Sequence, residues 1–187
     1  MKKSLLILTI VLTLILSSCN IGDTVIEEEE PIYTELLSGN HLNDDSWGSI
    51  SALEESQFSI EDMLLYAIQD EYSAHTEYEY IMSTFDVEEP FSNIIIAEET
   101  HIRMLLPLFE AYEIEVPVDT STEHIIELTT LVSTFETGVA AEILNISMYD
   151  LFLTQDLPED IRDVFTELRD ASIKHLAAFE KNVLENS

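Results

Sequence analysis

The chain has 187 residues, 46% of them hydrophobic, enough for one domain with a substantial core but hardly for two. Against 38 acidic residues stand 7 lysines and arginines, a net charge of -31. A surface this acidic repels nucleic acid and bare anionic lipid, which excludes DNA and RNA as partners, and it concentrates cations around itself.

The N-terminus reads MKKSLLILTIVLTLILSSCN: two lysines, a short apolar run, then LSSC around the chain's single cysteine, Cys19. This pattern resembles a bacterial lipoprotein signal, with residues 1–18 as signal peptide and Cys19 as the lipidated first residue of the mature chain. An uncleaved signal anchor with an incidental cysteine is the plainer alternative. On the lipoprotein reading the domain is lipid-anchored at the cell membrane, facing outside the cytoplasm. A single cysteine also excludes an intramolecular disulfide and a cysteine-based zinc or iron–sulfur site.

Residues 19–57 contain the acidic run 27–30, Pro31 and SGNHLNDDSWGS, with neither helical nor alternating periodicity. They predict a flexible acidic linker in which His41 and Trp47 are solvated. The domain proper, 58–187, opens at FSIEDM, where Ser59 is a good N-cap, Asp62 takes the third helical position and Phe58 with Met63 fits a hydrophobic staple. A first helix is predicted over 60–85. A turn containing Pro90 leads to a second over 91–112, with Pro107 expected to bend its last turns. The third covers 130–154, with room for a short helical piece from 124. Asp156 and Pro158 open the fourth, which runs to 184. No internal repeat, glycine-rich phosphate loop or strand-like alternation interrupts them, so the fold class is an all-α four-helix bundle.

The connections refine this. Short turns make antiparallel hairpins of the first and second helices and of the third and fourth. Between the hairpins the eleven irregular residues 113–123 reach about 36 Å when extended, enough to travel the length of a bundle. A long crossover between the second and third helices (the B–C crossover) is the ferritin-like arrangement. A simple up-and-down bundle would not need that length, but it stays open.

Traced in steps of three and four, the inward face of each helix is apolar except near its middle. The first stripe passes through Ala67, Glu71 and Ala74; the second through Ile94, Glu98, His101 and Leu105. The third passes through Gly138, Glu142 and Tyr149, and the fourth through Leu168, Ser172, His175 and Phe179. Three carboxylates gathered in a core would each cost several kcal/mol of desolvation and would repel one another. Basic partners are scarce, since the helices hold only Arg103, Arg162, Arg169, Lys174 and Lys181, all off these stripes. A metal cation is the economical counter-charge, and carboxylates with imidazoles suit iron or manganese. A protonated, hydrogen-bonded cluster is the first alternative, and stripes assigned to the wrong face the second.

The motifs LLYAIQDEYSA, FSNIIIAEETH, GVAAEILNI and SIKHLAAFE, in this order over residues 58–184, resemble the uncharacterised ferritin-like family known as domain of unknown function 2202. That resemblance implies a ferritin-like bundle, often exported, with no settled reaction. Carried over from the wider ferritin-like superfamily, it implies Glu71 and Glu142 as the single glutamates of the first and third helices. Glu98 and His101 match the second helix's Glu-x-x-His pair, and His175 the fourth helix's histidine. Ser172 stands where a dimetal site has its second bridging glutamate, which points to one tightly held ion, or one tight and one weak. His75 and Asn145, one turn after Glu71 and Glu142, are read as a neighbouring polar residue and a hydrogen-bonding one. Tyr66, Tyr78 and Tyr149 are read as packing residues with satisfied hydroxyls.

Two functions follow. One is a lipid-anchored protein that binds iron or manganese and exchanges electrons at it or sequesters it. The other is a non-catalytic cell-surface interaction domain with a structural polar cluster. A homodimer is compatible with both.

Overall fold

The computed structural model describes residues 47–125 and 127–186. Cys19, the signal peptide expected over 1–18 and His41 lie outside the described residues. Those described form five α-helices and no strand: α1 (Gly48–Glu54), α2 (Ile60–Phe85), α3 (Phe91–Ala111), α4 (Leu131–Leu153) and α5 (Glu159–Asn186), with a short 3-10 turn, Ser121–Glu123, between α3 and α4. The four long helices begin and end close to the positions that their caps and periodicity predict.

Local chemistry sets those ends. Ser59 and Asp62 form a reciprocal capping box at the start of α2, with Asp62 N–H donating to Ser59 Oγ at 3.1 Å and Ser59 N–H to Asp62 Oδ2 at 2.8 Å. Thr130 and Ser133 repeat the device at the start of α4. The α4–α5 turn is tied by Arg162, whose guanidinium donates to the carbonyls of Leu153 and Gln155 at 3.0 and 2.9 Å. A cation there also suits the negative end of α4. α3 continues through Pro107 to Ala111. The helical piece expected from 124 is instead the 3-10 turn, which ends at Glu123.

Contacts between the helices fix their directions. Tyr149 reaches Glu71 and Tyr78 reaches Glu142, so α2 and α4 run antiparallel. The Phe91 and Phe179 rings lie 5.4 Å apart, while Tyr112 donates to Asp160 at 2.8 Å, so the start of α3 meets the end of α5 and the reverse. The core divides into two apolar clusters. One gathers Leu64, Ile68, Leu105, Phe109, Phe152 and Phe165; the other Tyr78, Ile81, Phe91, Ile94, Phe135 and Phe179. Between them lies a buried polar layer that includes Glu71, Glu98, His101, Glu142, Asn145, Ser172 and His175.

The linker expected over 19–57 is corrected at its C-terminal end. Residues 48–54 are α1, packed on α2 and α4 with Ala52 fully buried. Trp47 is half-buried rather than solvated: its Nε1–H donates to the Gln69 carbonyl at 3.0 Å and its ring stacks on His124, centroids 4.3 Å apart. Seven residues rarely hold a helix alone, and here a distant side chain supplies the N-terminal partner. Ser49 N–H donates to Asp70 Oδ1 at 2.8 Å, a carboxylate placed at the positive end of α1. Gly48 allows this approach. Its φ is +56°, and a Cβ there would lie 2.8 Å from Asp70 Oδ1.

Gly138 has a different reason. A Cβ on it would fall 2.7 Å from the ring of Phe179, which is wholly buried between α4 and neighbouring helices. Gly138→Ala is expected to destabilise the fold by about 1–3 kcal/mol through overpacking, read as a lower urea midpoint. An unchanged midpoint would mean that the Phe179 ring has somewhere to go.

Candidate metal centre

Each long helix contributes to the polar layer at its middle because the sequence puts one or two ionisable residues on an otherwise apolar stripe. Glu71 comes from α2, Glu98 and His101 from α3, Glu142 from α4 and His175 from α5, all at most 8% exposed. The i, i+3 spacing of Glu98 and His101 sets them on one face. His101 Nδ1 lies 2.8 Å from Glu98 Oε2 and 2.9 Å from Glu71 Oε2. On the other side of Glu98, His175 Nδ1 lies 3.1 Å from Glu98 Oε1 and 3.4 Å from Glu142 Oε1.

These residues form two overlapping groups, Glu71–Glu98–His101 and Glu98–Glu142–His175, in each of which one ligand atom per residue lies within 4.8 Å of the others. Glu98 belongs to both and turns one oxygen towards each. The donor set fits a divalent cation, with two carboxylates and one imidazole per group. A further observation supports the fit. His175 Nδ1 is buried and faces two carboxylate oxygens, but neither contact has hydrogen-bond geometry. A buried ring nitrogen aimed between two carboxylates is placed as a ligand atom would be. These buried Glu/His groups can hold a metal ion.

The outer carboxylates have matched supports. Tyr149 Oη donates to Glu71 Oε1 at 2.7 Å, and Tyr78 Oη donates to Glu142 Oε1 at 2.9 Å. Each tyrosine stands seven residues after the glutamate on its own helix and serves the glutamate of the facing one. Such contacts orient a ligating carboxylate. Burial pushes both phenols well above their ordinary range, and the neighbouring carboxylates add to it. The hydroxyls are satisfied, as read from the sequence, but in a role that the reading missed. The Glu-x6-Tyr spacing on both helices was the available signal.

Ser172 does not face an ion pair of its own. It donates to Asn145 Oδ1 at 2.7 Å, Asn145 Nδ2 donates to Asp70 Oδ2 at 2.6 Å, and Asp70 holds α1. Asn145 is thus a hydrogen-bonding residue, and His75 lies outside both groups, 30% exposed and 3.8 Å from Glu99. Tyr66 is partly buried against the apolar cluster. The described arginines stay outside the layer: Arg103 pairs with Glu99, Arg169 with Asp150 and Asp170, and Arg162 ties the α4–α5 turn.

Protons balance the layer when no cation does. Burial raises the Glu71 pKa to about 7, helped by the Glu98 charge and opposed by His101, and burial likewise raises that of Glu142. Burial also works on Glu98, but the two imidazoles outweigh it and bring its pKa below the usual value. For the histidines burial opposes the charge. Glu71 and Glu98 nevertheless lift His101 to about 10, and Glu142 and Glu98 lift His175 to about 9.

The signs agree for four of these groups, Glu71, Glu142, His101 and His175. A raised folded pKa means stability that is present below the unfolded value and lost as pH rises through the folded one. For Glu71 the window runs from its ordinary value of 4.5 to about 7, and for the histidines from 6.5 to about 10 and about 9. Glu98 has the opposite sign, but its loss comes only below 4.5. The chelator-treated chain is therefore expected to lose stability steadily from about pH 5 to about pH 9, measured by urea unfolding at fixed ionic strength. With a divalent metal present the trend should flatten or reverse, because the ion competes with those same protons. Parallel curves with and without metal would contradict this.

No family model matches the chain, and no curated protein matches it. Among solved structures, a crystallised hypothetical protein from Methanococcus jannaschii DSM 2661 is similar, with a TM-score of 0.61 and 21% identity over 70% of this chain and 84% of that one. At that identity the likeness speaks to the all-helical fold alone.

Proposed function

We propose that this chain is an exported, lipid-anchored, ferritin-like protein that binds iron or manganese in the middle of a four-helix bundle. The carrying observation is Glu98, whose two oxygens serve two Glu/His groups at once. Ferritin-like topology is supported by the helix directions. Tyr78 packs on Phe91 and Glu71 meets His101, so α2 runs antiparallel to α3 as well as to α4, which supports a crossover between α3 and α4. The motif resemblance to domain of unknown function 2202 agrees with it.

The reading takes two ions, where Ser172 pointed to one tight ion or to one tight and one weak, because Glu98 belongs to both groups. Glu71 and His101 would complete one position and Glu142 and His175 the other, with Tyr149 and Tyr78 holding the outer carboxylates in place. Bound iron or manganese would supply single-electron exchange. The chain's own part is to exclude bulk water from the layer and to give up protons from His101, His175 and Glu71 as an ion enters.

Iron(II), manganese(II) or zinc(II) added to the full chain is expected to raise its thermal midpoint, since binding to the native state alone stabilises it by mass action. Glu98→Ala should abolish the gain and both ions, while Glu71→Ala or Glu142→Ala should leave one. Metal content per chain after dialysis gives the stoichiometry. No thermal shift in the unmutated chain would favour the second reading, a structural polar network. That reading has its own support in the hydrogen bonds that already satisfy Glu71 and Glu142.

The anchor rests on LSSC at Cys19 after an apolar run. Cys19→Ala is expected to leave an unprocessed or mislocalised precursor, followed by fractionation and mobility on gels. Normal cleavage and membrane retention in that variant would rule the lipid anchor out.

A further inference from the structure

Beside the polar layer is a cavity of about 100 Å³ that no part of the preceding reading uses. Its walls come from α1 (Trp47, the cap residue, and Ile50), from α2 and α4 (Ala74 and Ala141), and from the α3–α4 connection at His124. Glu98 and Glu142 also line it. The cavity therefore runs from the Trp47–His124 stack to the second Glu/His group. A water-filled gap of this size would hold about three molecules at liquid density.

We propose that this cavity is a ligand chamber for a small neutral molecule, whose polar atom meets the ion held by Glu98, Glu142 and His175; the inference rests on the metal reading and deepens it. Size limits the occupant. An apolar cavity of about 150 Å³ accommodates benzene, so this one, at about 100 Å³, takes a molecule of roughly four to five non-hydrogen atoms. Charge limits it further. Asp70, Glu77, Glu98 and Glu142 line the space and no lysine or arginine does, which disfavours an anion. At Asp70, Glu98 and Glu142 a cation gains little either. Asp70 already accepts from Ser49 and Asn145, and Glu98 and Glu142 already face imidazoles and Tyr78. What the walls offer a guest is mostly apolar surface, with polar groups set among it and the carboxylates of Glu98 and Glu142 at the metal end. That is the usual make-up of a small-molecule site.

Trp47 is the chain's single tryptophan, so its emission reports the chamber directly. The probe is pyrazole, a neutral five-membered ring that ligates metals, with azide as the anionic comparison. In the full chain loaded with cobalt(II), pyrazole is expected to change the visible cobalt spectrum and the Trp47 emission with one saturable curve. Azide should bind at least about tenfold more weakly. Ala74→Phe fills the chamber from a position outside both ligand groups, and should weaken pyrazole by at least about tenfold while cobalt content stays unchanged. Ala141→Val, a smaller addition on α4, gives the same reading should the phenylalanine unfold the chain. Equal pyrazole binding with and without the filled chamber would overturn the proposal, as would a cobalt-loaded chain that ignores pyrazole. A chain that takes up no cobalt would fail the metal reading instead. The chamber would then stand on a saturable response of Trp47 to pyrazole that Ala74→Phe removes, and would fall without it.

Discussion

One carboxylate organises the interior. Glu98 sits at the centre of a core in which an isolated charge would be prohibitively expensive, and it is tolerated because imidazoles from α3 and α5 approach its two oxygens separately. Everything else in the polar layer is arranged around that division. Glu71 and Glu142 flank the two imidazoles, and a tyrosine from the opposite helix steadies each. The apolar clusters above and below then close the layer off from solvent, which strengthens each of these contacts.

The layer also explains why the fold has two separate apolar clusters rather than one. Seven polar side chains across the middle of four helices interrupt every stripe at the same height. The helices have to register so that these interruptions meet, because a slip of one turn would bury a carboxylate against leucines and phenylalanines. A polar layer can thereby specify helix register as well as hold a ligand. Gly138 fits this picture, since the close seating of Phe179 against α4 needs that one position to stay small.

Much of this was legible in the residues. The cap at Ser59, the turn at Pro90 and the helical periodicities give the four long helices, because these are local effects. The inward positions of Glu71, Glu98, His101, Glu142 and His175 follow from spacing alone. What was not legible depends on partners distant in sequence. α1 has too few residues and too little periodicity to declare itself, and it exists because Asp70, twenty-one positions on, accepts from Ser49. The pairing of Tyr78 with Glu142 and Tyr149 with Glu71 needs the register between α2 and α4, although the equal spacing on each helix hinted at it. The sharing of Glu98 between two groups needs side-chain directions that no periodicity supplies.

The relay from Ser172 through Asn145 to Asp70 carries a consequence for how the two halves of the bundle differ. α2 and α4 each present a glutamate and, two turns later, a tyrosine; α3 and α5 each present a histidine preceded by a shorter side chain's position, glutamate in one and serine in the other. The hairpins are thus near-copies, and the relay marks where the likeness is broken. In one half the residue before the histidine joins the charged layer. In the other it turns away and fixes an amide whose far end fastens α1 through Asp70. The symmetry is broken at one hydroxyl, and among the described residues that asymmetry leaves one flank of the bundle covered by α1 and the other without a counterpart to it.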